Sequence, residues 1–144
     1  MKISIGNDHK GYDLKEKIKI FLMNNSYEVI DKGTDSTISV DYPQFAKSVG
    51  KSVVSSESDF GIVICDSGIG VSIACNKVKG ARCAKITSVE EAIATRSHND
   101  ANVLALSGQL EERKALEIVE AFIKTDFSKE ERHIRRIGLI EDEY

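Results

Sequence analysis

The chain has 144 residues, 41% hydrophobic and 30% charged, the composition of one folded domain and not of a disordered segment. Asp and Glu outnumber Lys and Arg by 23 to 20, and the resulting net charge of −3 argues against nucleic acid as a partner. Three cysteines without a Cys-x-x-Cys pair fit a reducing cytoplasm better than a disulfide framework or a zinc site. Apolar runs are strand-length, too short for a transmembrane helix, and Met1-Lys2 passes into Ile3 and Ile5 without a leader stretch, so a cytoplasmic protein is expected.

In chain order, residues 2–6 read as a strand and 13–25 as an amphipathic helix with Leu14, Ile18, Phe21 and Leu22 along one face. A short strand at 28–31 ends in Lys32-Gly33-Thr34. A helix beginning near Asp41-Tyr42-Pro43, where proline suits the first turn, turns Phe45, Ala46, Val49 and Val53 inward. Residues 60–65 are the most apolar strand and hence a central one. A glycine loop with Gly68 and Gly70 leads into a helix reaching about Lys77. A strand at 81–86, a helix at 88–97, a strand at 103–106 and helices at 111–124 and 129–140 complete the pattern. The acidic end, residues 141–144, reads as a frayed terminus.

Strands alternating with helices at this spacing predict an α/β protein: a five-stranded parallel sheet with helices on both faces, in one domain spanning 1–144. Ligands of such sheets bind beyond the carboxyl ends of the strands, where the strand order reverses. With the first and third strands flanking the reversal, Asp8, His9 and Cys65 meet there.

Cys65-Asp66-Ser67-Gly68-Ile69-Gly70 joins the central strand to a helix, and the backbone N–H groups of such a turn form an anion-binding nest. The same field favours a thiolate at Cys65, against which Asp66 acts; alternatively, Cys65 is a small apolar residue closing a core strand. Val71 occupies the position of a tyrosine phosphatase's arginine, Ile73 that of a dinucleotide fingerprint's third glycine, and no Gly-Lys-Ser/Thr is present. The loop is therefore a phosphate or oxyanion cradle without a nucleotide signature. His9 is placed to meet an anion or a sugar hydroxyl. His98, in Arg96-Ser-His-Asn-Asp100, reads equally as a catalytic group or as a solvated imidazole at a helix C-terminus. Arg132 and Arg136, one turn apart, either clamp a phosphate or pair with Glu130, Glu131 or Glu141. Cys75 and Cys83 read as core residues.

Several motifs occur together along nearly the whole chain: Gly6-x-Asp8-His9-x-Gly11, residues 29–34, Asp41-Tyr42-Pro43, Cys65-x-Ser67-Gly68-Ile69-Gly70-x-Ser72-Ile73-Ala74 with Asn76-Lys77, His98-Asn99-Asp100-x-Asn102, and Arg132-His133-x-x-Arg136. In identity and order they resemble the ribose-5-phosphate isomerase B family, which includes galactose-6-phosphate isomerase subunits. The resemblance implies a three-layer α/β/α sandwich around a Rossmann-like sheet, and a homodimer or tetramer with active sites at the subunit interface. It implies no metal, no cofactor and no membrane. The activity implied is interconversion of an aldose and a ketose phosphate, foremost ribose 5-phosphate to ribulose 5-phosphate in the non-oxidative pentose phosphate pathway. The alternatives are a six-carbon aldose phosphate (allose or galactose 6-phosphate) and a non-catalytic sugar-phosphate-binding subunit.

By the same resemblance Cys65 is the base that moves a proton between C2 and C1 through an ene-diolate, and His98 helps open the furanose ring. Asp8, His9 and Tyr42 belong to the substrate site, and the backbone of Asp66, Ser67, Gly68, Ile69 and Gly70 stabilises the intermediate. Asn99 of the partner subunit supports that intermediate, and Arg132 and Arg136 bind the phosphate. The chain departs from the family at two positions. Asp66 stands where glycine is usual, and a carboxylate there disfavours a thiolate unless it turns to another partner. Gln109 stands where an arginine usually contributes to phosphate binding, which lowers the expected affinity or adjusts the substrate.

Overall fold

A computed structural model describes residues 1–142. Its five strands are β1 (Lys2–Asn7), β2 (Glu28–Asp31), β3 (Phe60–Cys65), β4 (Cys83–Lys85) and β5 (Val103–Ser107). They form one parallel sheet in the order β2-β1-β3-β5-β4, reversing between β1 and β3 as anticipated. The helices are α1 (Tyr12–Asn24), α2 (Tyr42–Val54), α3 (Ile69–Cys75), α4 (Val89–Asn99), α5 (Glu112–Lys124) and α6 (Glu131–Glu141).

Because strand side chains alternate, the sheet feeds two cores. Ile3, Ile5, Ile62, Ile64, Leu104 and Leu106 point toward Leu14, Ile18 and Leu22 of α1, Ala92 of α4, and Ala115, Ile118 and Phe122 of α5. Val63, Cys65, Val103 and Ala105 point the other way, onto Ala46, Val49 and Val53 of α2 and Val71, Ala74 and Cys75 of α3. Three layers result, and strands covered on both sides read as continuous apolar runs. Along α1 the expected face is buried except for a half-buried Phe21, and one unexpected residue, Lys15, is buried with it.

Some boundaries shift for local reasons. The strand expected at 81–86 contracts to three residues because β4 is an edge, pairing only with β5. β5, whose first four residues are buried, lies between β4 and β3. α3 stops at Cys75, and α6 starts at Glu131 because Lys129 adopts a left-handed φ of 60°. The acidic end does not fray at Glu141: that residue closes α6, and its Oε1 accepts from Arg82 Nη1 at 2.8 Å. Glu143 and Tyr144 lie outside the described residues. Among the described residues no helix is long and apolar enough to cross a membrane.

Candidate active site

The register runs from Ile3 opposite Phe60 to Asn7 opposite Ile64, so β1 and β3 end side by side. Asp8 N–H donates to Ile64 O at 3.2 Å, which brings Asp8 and His9 next to Cys65. Cys65 is 5% exposed, its side chain on the α2–α3 face of the sheet. Asp8 is buried, and its Oδ1 accepts from the N–H groups of Lys10 at 3.0 Å and Gly11 at 3.2 Å, capping the single 3-10 turn His9–Gly11. Val40 N–H donates to His9 Nδ1 at 3.2 Å. Nδ1 is thereby assigned as the unprotonated nitrogen, and neutral His9 keeps its proton on Nε2 as a donor.

Beyond Cys65 the chain turns sharply. Gly68 takes a φ of 79°, and a Cβ there would come 2.8 Å from the Leu106 carbonyl carbon, so both backbone and space require glycine. The first N–H groups of α3 lack intrahelical acceptors, and that of Ile69 donates to Ser67 Oγ at 3.1 Å. The Tyr42 ring, at the start of α2, lies where a side chain at position 70 would project, 2.6 Å from an ideal Cβ on Gly70. Asp66 turns to Gln109, whose Nε2 donates to Asp66 Oδ1 at 2.9 Å. Ser107 Oγ donates to Asp66 O at 2.7 Å and accepts from Gln109 N–H at 3.1 Å. The two residues that depart from the family are therefore each other's partners.

The remaining candidates lie at the opposite edge of the sheet. α4 connects two parallel strands and so runs back from the carboxyl edge, leaving His98 and Asn99 near the start of β5. There Asn102 O accepts from Gly61 N–H at the start of β3. Cys65 pairs with Ser107 at the other end of β5, about 13 Å along the strand from Val103. The His98 ring stacks on His133 of α6, with centroids 4.7 Å apart and planes inclined by 16°. Arg132 Nε donates to His133 Nε2 at 3.4 Å, and Arg132 also pairs with Glu130 at 3.1 Å. Arg136 stands exposed one turn further along α6. Burial, then the charges of Arg132 and of His98, hold the His133 imidazole below its usual pKa, with Glu130 opposing.

This corner is held by Arg96, a buried residue for which the sequence carried no signal beyond its place in the His98 motif. Its Nη1 donates to Asp100 Oδ1 at 2.8 Å and Ala101 O at 2.6 Å, and its Nε to Thr125 O at 3.2 Å. The guanidinium lies 4.7 Å from the Phe60 ring centroid. One chain thus gathers Asp8, His9, Tyr42, Cys65, the 66–70 loop and Gln109 at one edge, and His98, Asn99, Arg132 and Arg136 at the other. It does not bring the two groups together.

Known proteins share this fold. The model of the Ribose/Galactose Isomerase family matches residues 3–140. Ribose-5-phosphate isomerase B of Mycobacterium tuberculosis is 40% identical over 142 residues, 97% of this chain and 88% of its own. The structure of Clostridium thermocellum ribose-5-phosphate isomerase B matches with a TM-score of 0.96 and 49% identity, over 98% of this chain and 95% of that one. Mycoplasma genitalium ribose-5-phosphate isomerase B, solved with bound ribulose-5-phosphate, matches at 0.91 and 39% identity, over 97% and 93%. Fold and site define a three-layer α/β protein whose candidate site opens at the carboxyl edge of a parallel sheet. The chain belongs to the ribose/galactose isomerase family.

Proposed function

We propose that the protein interconverts D-ribose 5-phosphate and D-ribulose 5-phosphate, in active sites shared between two copies of the chain. The reading is supported by the relatives above, named ribose-5-phosphate isomerase B, one of them holding ribulose-5-phosphate. The observation that carries it is the Cys65 thiol at the end of β3, beside Asp8, His9 and the turn into α3.

Isomerisation of this kind asks for one group that removes and returns the same proton, and for donors where charge develops on oxygen. His98 moves a proton from the C1 hydroxyl to the ring oxygen, opening the furanose to an aldehyde. Cys65, as the thiolate, takes the C2 proton. The freed electron pair forms the C1–C2 double bond, and the carbonyl pair moves onto O1. The N–H groups of residues 66–70 receive that charge. The thiol then returns its proton to C1 while the O2 hydroxyl proton passes to O1, so C2 is oxidised as C1 is reduced. The same two electrons serve both carbons, and the balance requires no redox cofactor. His9 Nε2–H donates to a sugar oxygen, Asp8 accepts from a hydroxyl, and the Tyr42 ring walls the site. Arg132 and Arg136 hold the phosphate, for which the guanidinium fork is suited. Asn99 supports the intermediate.

A second copy supplies His98, Asn99 and the arginines, because within one chain they stand at the edge remote from Cys65. Exposed apolar side chains fit such an interface: Ile69 at 54% and Ile73 at 59% beside the loop, and Ile134, Leu139 and Ile140 along α6. The same reading makes the chain one catalytic domain working in the cytoplasm, as a dimer or a pair of dimers.

Proton NMR with ribose 5-phosphate in deuterated buffer containing EDTA tests the proposal. Ribulose 5-phosphate signals are expected to grow, and Cys65→Ala is expected to lose at least about 100-fold in rate with its thermal transition intact. Undiminished turnover in Cys65→Ala, or turnover of allose or galactose 6-phosphate in preference to the pentose, overturns it.

A further inference from the structure

Lys15 is completely buried, the only lysine so placed among the described residues, and it therefore cannot touch a substrate. A buried ammonium persists only where close acceptors replace water. Its Nζ donates to Thr34 O at 2.5 Å and lies 3.1 Å from Asp31 Oδ2, with the Tyr12 ring centroid at 5.3 Å and Glu16 Oε1 at 3.9 Å. Asp31 also accepts from Lys19 Nζ and from Gly33 N–H, each at 2.9 Å. Burial by itself would push the Asp31 carboxyl up, but the hydrogen bonds from Lys19, Gly33 and Lys15 outweigh it and hold the group below its ordinary value. The two nearest acceptors of Lys15 thus belong to the last residue of β2 and to the chain leaving it, not to its own helix.

The chain leaving β2, residues 32–41, is a strap: Lys32 N–H donates to Ile5 O at 2.7 Å and its Nζ to Glu57 Oε1 at 3.0 Å, and beyond it the strap is moored at two points. At its root, Thr34 O accepts from Lys15 and, at 3.3 Å, from Asn7 Nδ2, while Thr34 N–H donates to Asn7 O at 3.3 Å. Gly33 lies so close to the Asn7 amide that a Cβ would overlap it. At the far end Val40 N–H donates to His9 Nδ1 and the chain enters α2. Between the moorings the residues are exposed or half-buried, and Ile38 is 74% exposed. Val40 is thus held between that root and the start of α2.

We infer that Lys15 is a positioning residue for His9: its ammonium clamps Thr34 and Asp31, fixes the root of the strap, and so keeps Val40 N–H on His9 Nδ1 and the proton on Nε2. The kinetic consequence rests on the proposed role of His9 as a sugar ligand; the hydrogen-bond consequence does not.

Lys15→Met removes the ammonium and keeps the apolar stem. It is expected to raise KM for ribose 5-phosphate about 10-fold while kcat stays within about 3-fold. In 15N NMR of the full-length protein, neutral His9 should change from a single Nε2–H tautomer to a mixture, a signature that loss of stability alone does not produce. Asp31→Asn, at a side chain 29% exposed, loosens the clamp without opening the core and should shift both readouts the same way, less far. It decides the question if Lys15→Met fails to fold. An unchanged His9 tautomer in the folded variants overturns the inference. A mixed tautomer with KM unchanged upholds it and instead overturns the role of His9 as a sugar ligand.

Discussion

At the end of β3 the Asp66 carboxylate sits one residue from the proposed base, in a site meant to receive a doubly charged phosphate. Repulsion between such exposed charges is worth about 1 kcal/mol or less, a few-fold in binding. Gln109 answers it by holding Asp66 Oδ1 at 2.9 Å, turned toward the loop that follows β5. Gln109→Ala is expected to raise KM for ribose 5-phosphate about 2-fold to 5-fold, and adding Asp66→Asn to recover most of that loss, in steady-state kinetics. Were Gln109 a phosphate ligand itself, the double variant would stay as impaired as the single one. Asp66 was a candidate from its place after the most apolar strand, and Gln109 only from the family resemblance. Their hydrogen bond was not legible, because 43 residues separate them and it exists only where β3 and β5 lie side by side.

Among helices, α6 is held by little apolar surface: His133 is its one buried residue among those described. Its place depends on the stack with His98 and on the Arg82–Glu141 pair. The folded pKa of His133 is lowered by burial and then by Arg132, His98 and Arg136, against Glu130, so below the ordinary histidine value the unfolded chain binds the proton that the folded one refuses. Stability is therefore complete above about pH 6.5 and declines as pH falls from there toward the folded pKa. The urea midpoint of the wild type should drop between neutral pH and the mildly acidic range, and His133→Phe, which keeps a ring but takes no proton, should drop less. An equal drop in both would place the acid sensitivity elsewhere. The helical spacing of Arg132 and Arg136 was plain in the sequence. The Arg132–Glu130 pair was one of the alternatives open there, but which side of α6 is covered required the neighbouring α4.

For the molecule as a whole the decisive fact is that the candidate site residues occupy two edges of one sheet. In a two-fold dimer, a heterodimer of Cys65→Ala with His98→Asn carries one site with both defects and one with neither. Each variant alone should be nearly inactive, and co-refolding the two should restore about one quarter of wild-type activity, half the dimers being mixed and half their sites intact. No recovery on mixing would confine each site to a single chain. Sequence position carries no sign of this division, because α3 and β4 separate Cys65 from α4, the helix that carries His98, and only the sheet defines their directions.

The order of amino acids by itself determined the periodicities of two and of about 3.6, which are properties of near neighbours. β1, β2 and β3 were accordingly legible to within a residue, as was the parallel α/β sheet with its reversal beside Asp8, His9 and Cys65. Tertiary structure alone decided that β5 lies inside β4, that Lys15 is buried beneath a strap, that His98 stacks on His133, and which candidates share an edge. These depend on which surfaces meet across tens of residues, and a pattern along the chain states which face of an element is apolar without stating what covers it.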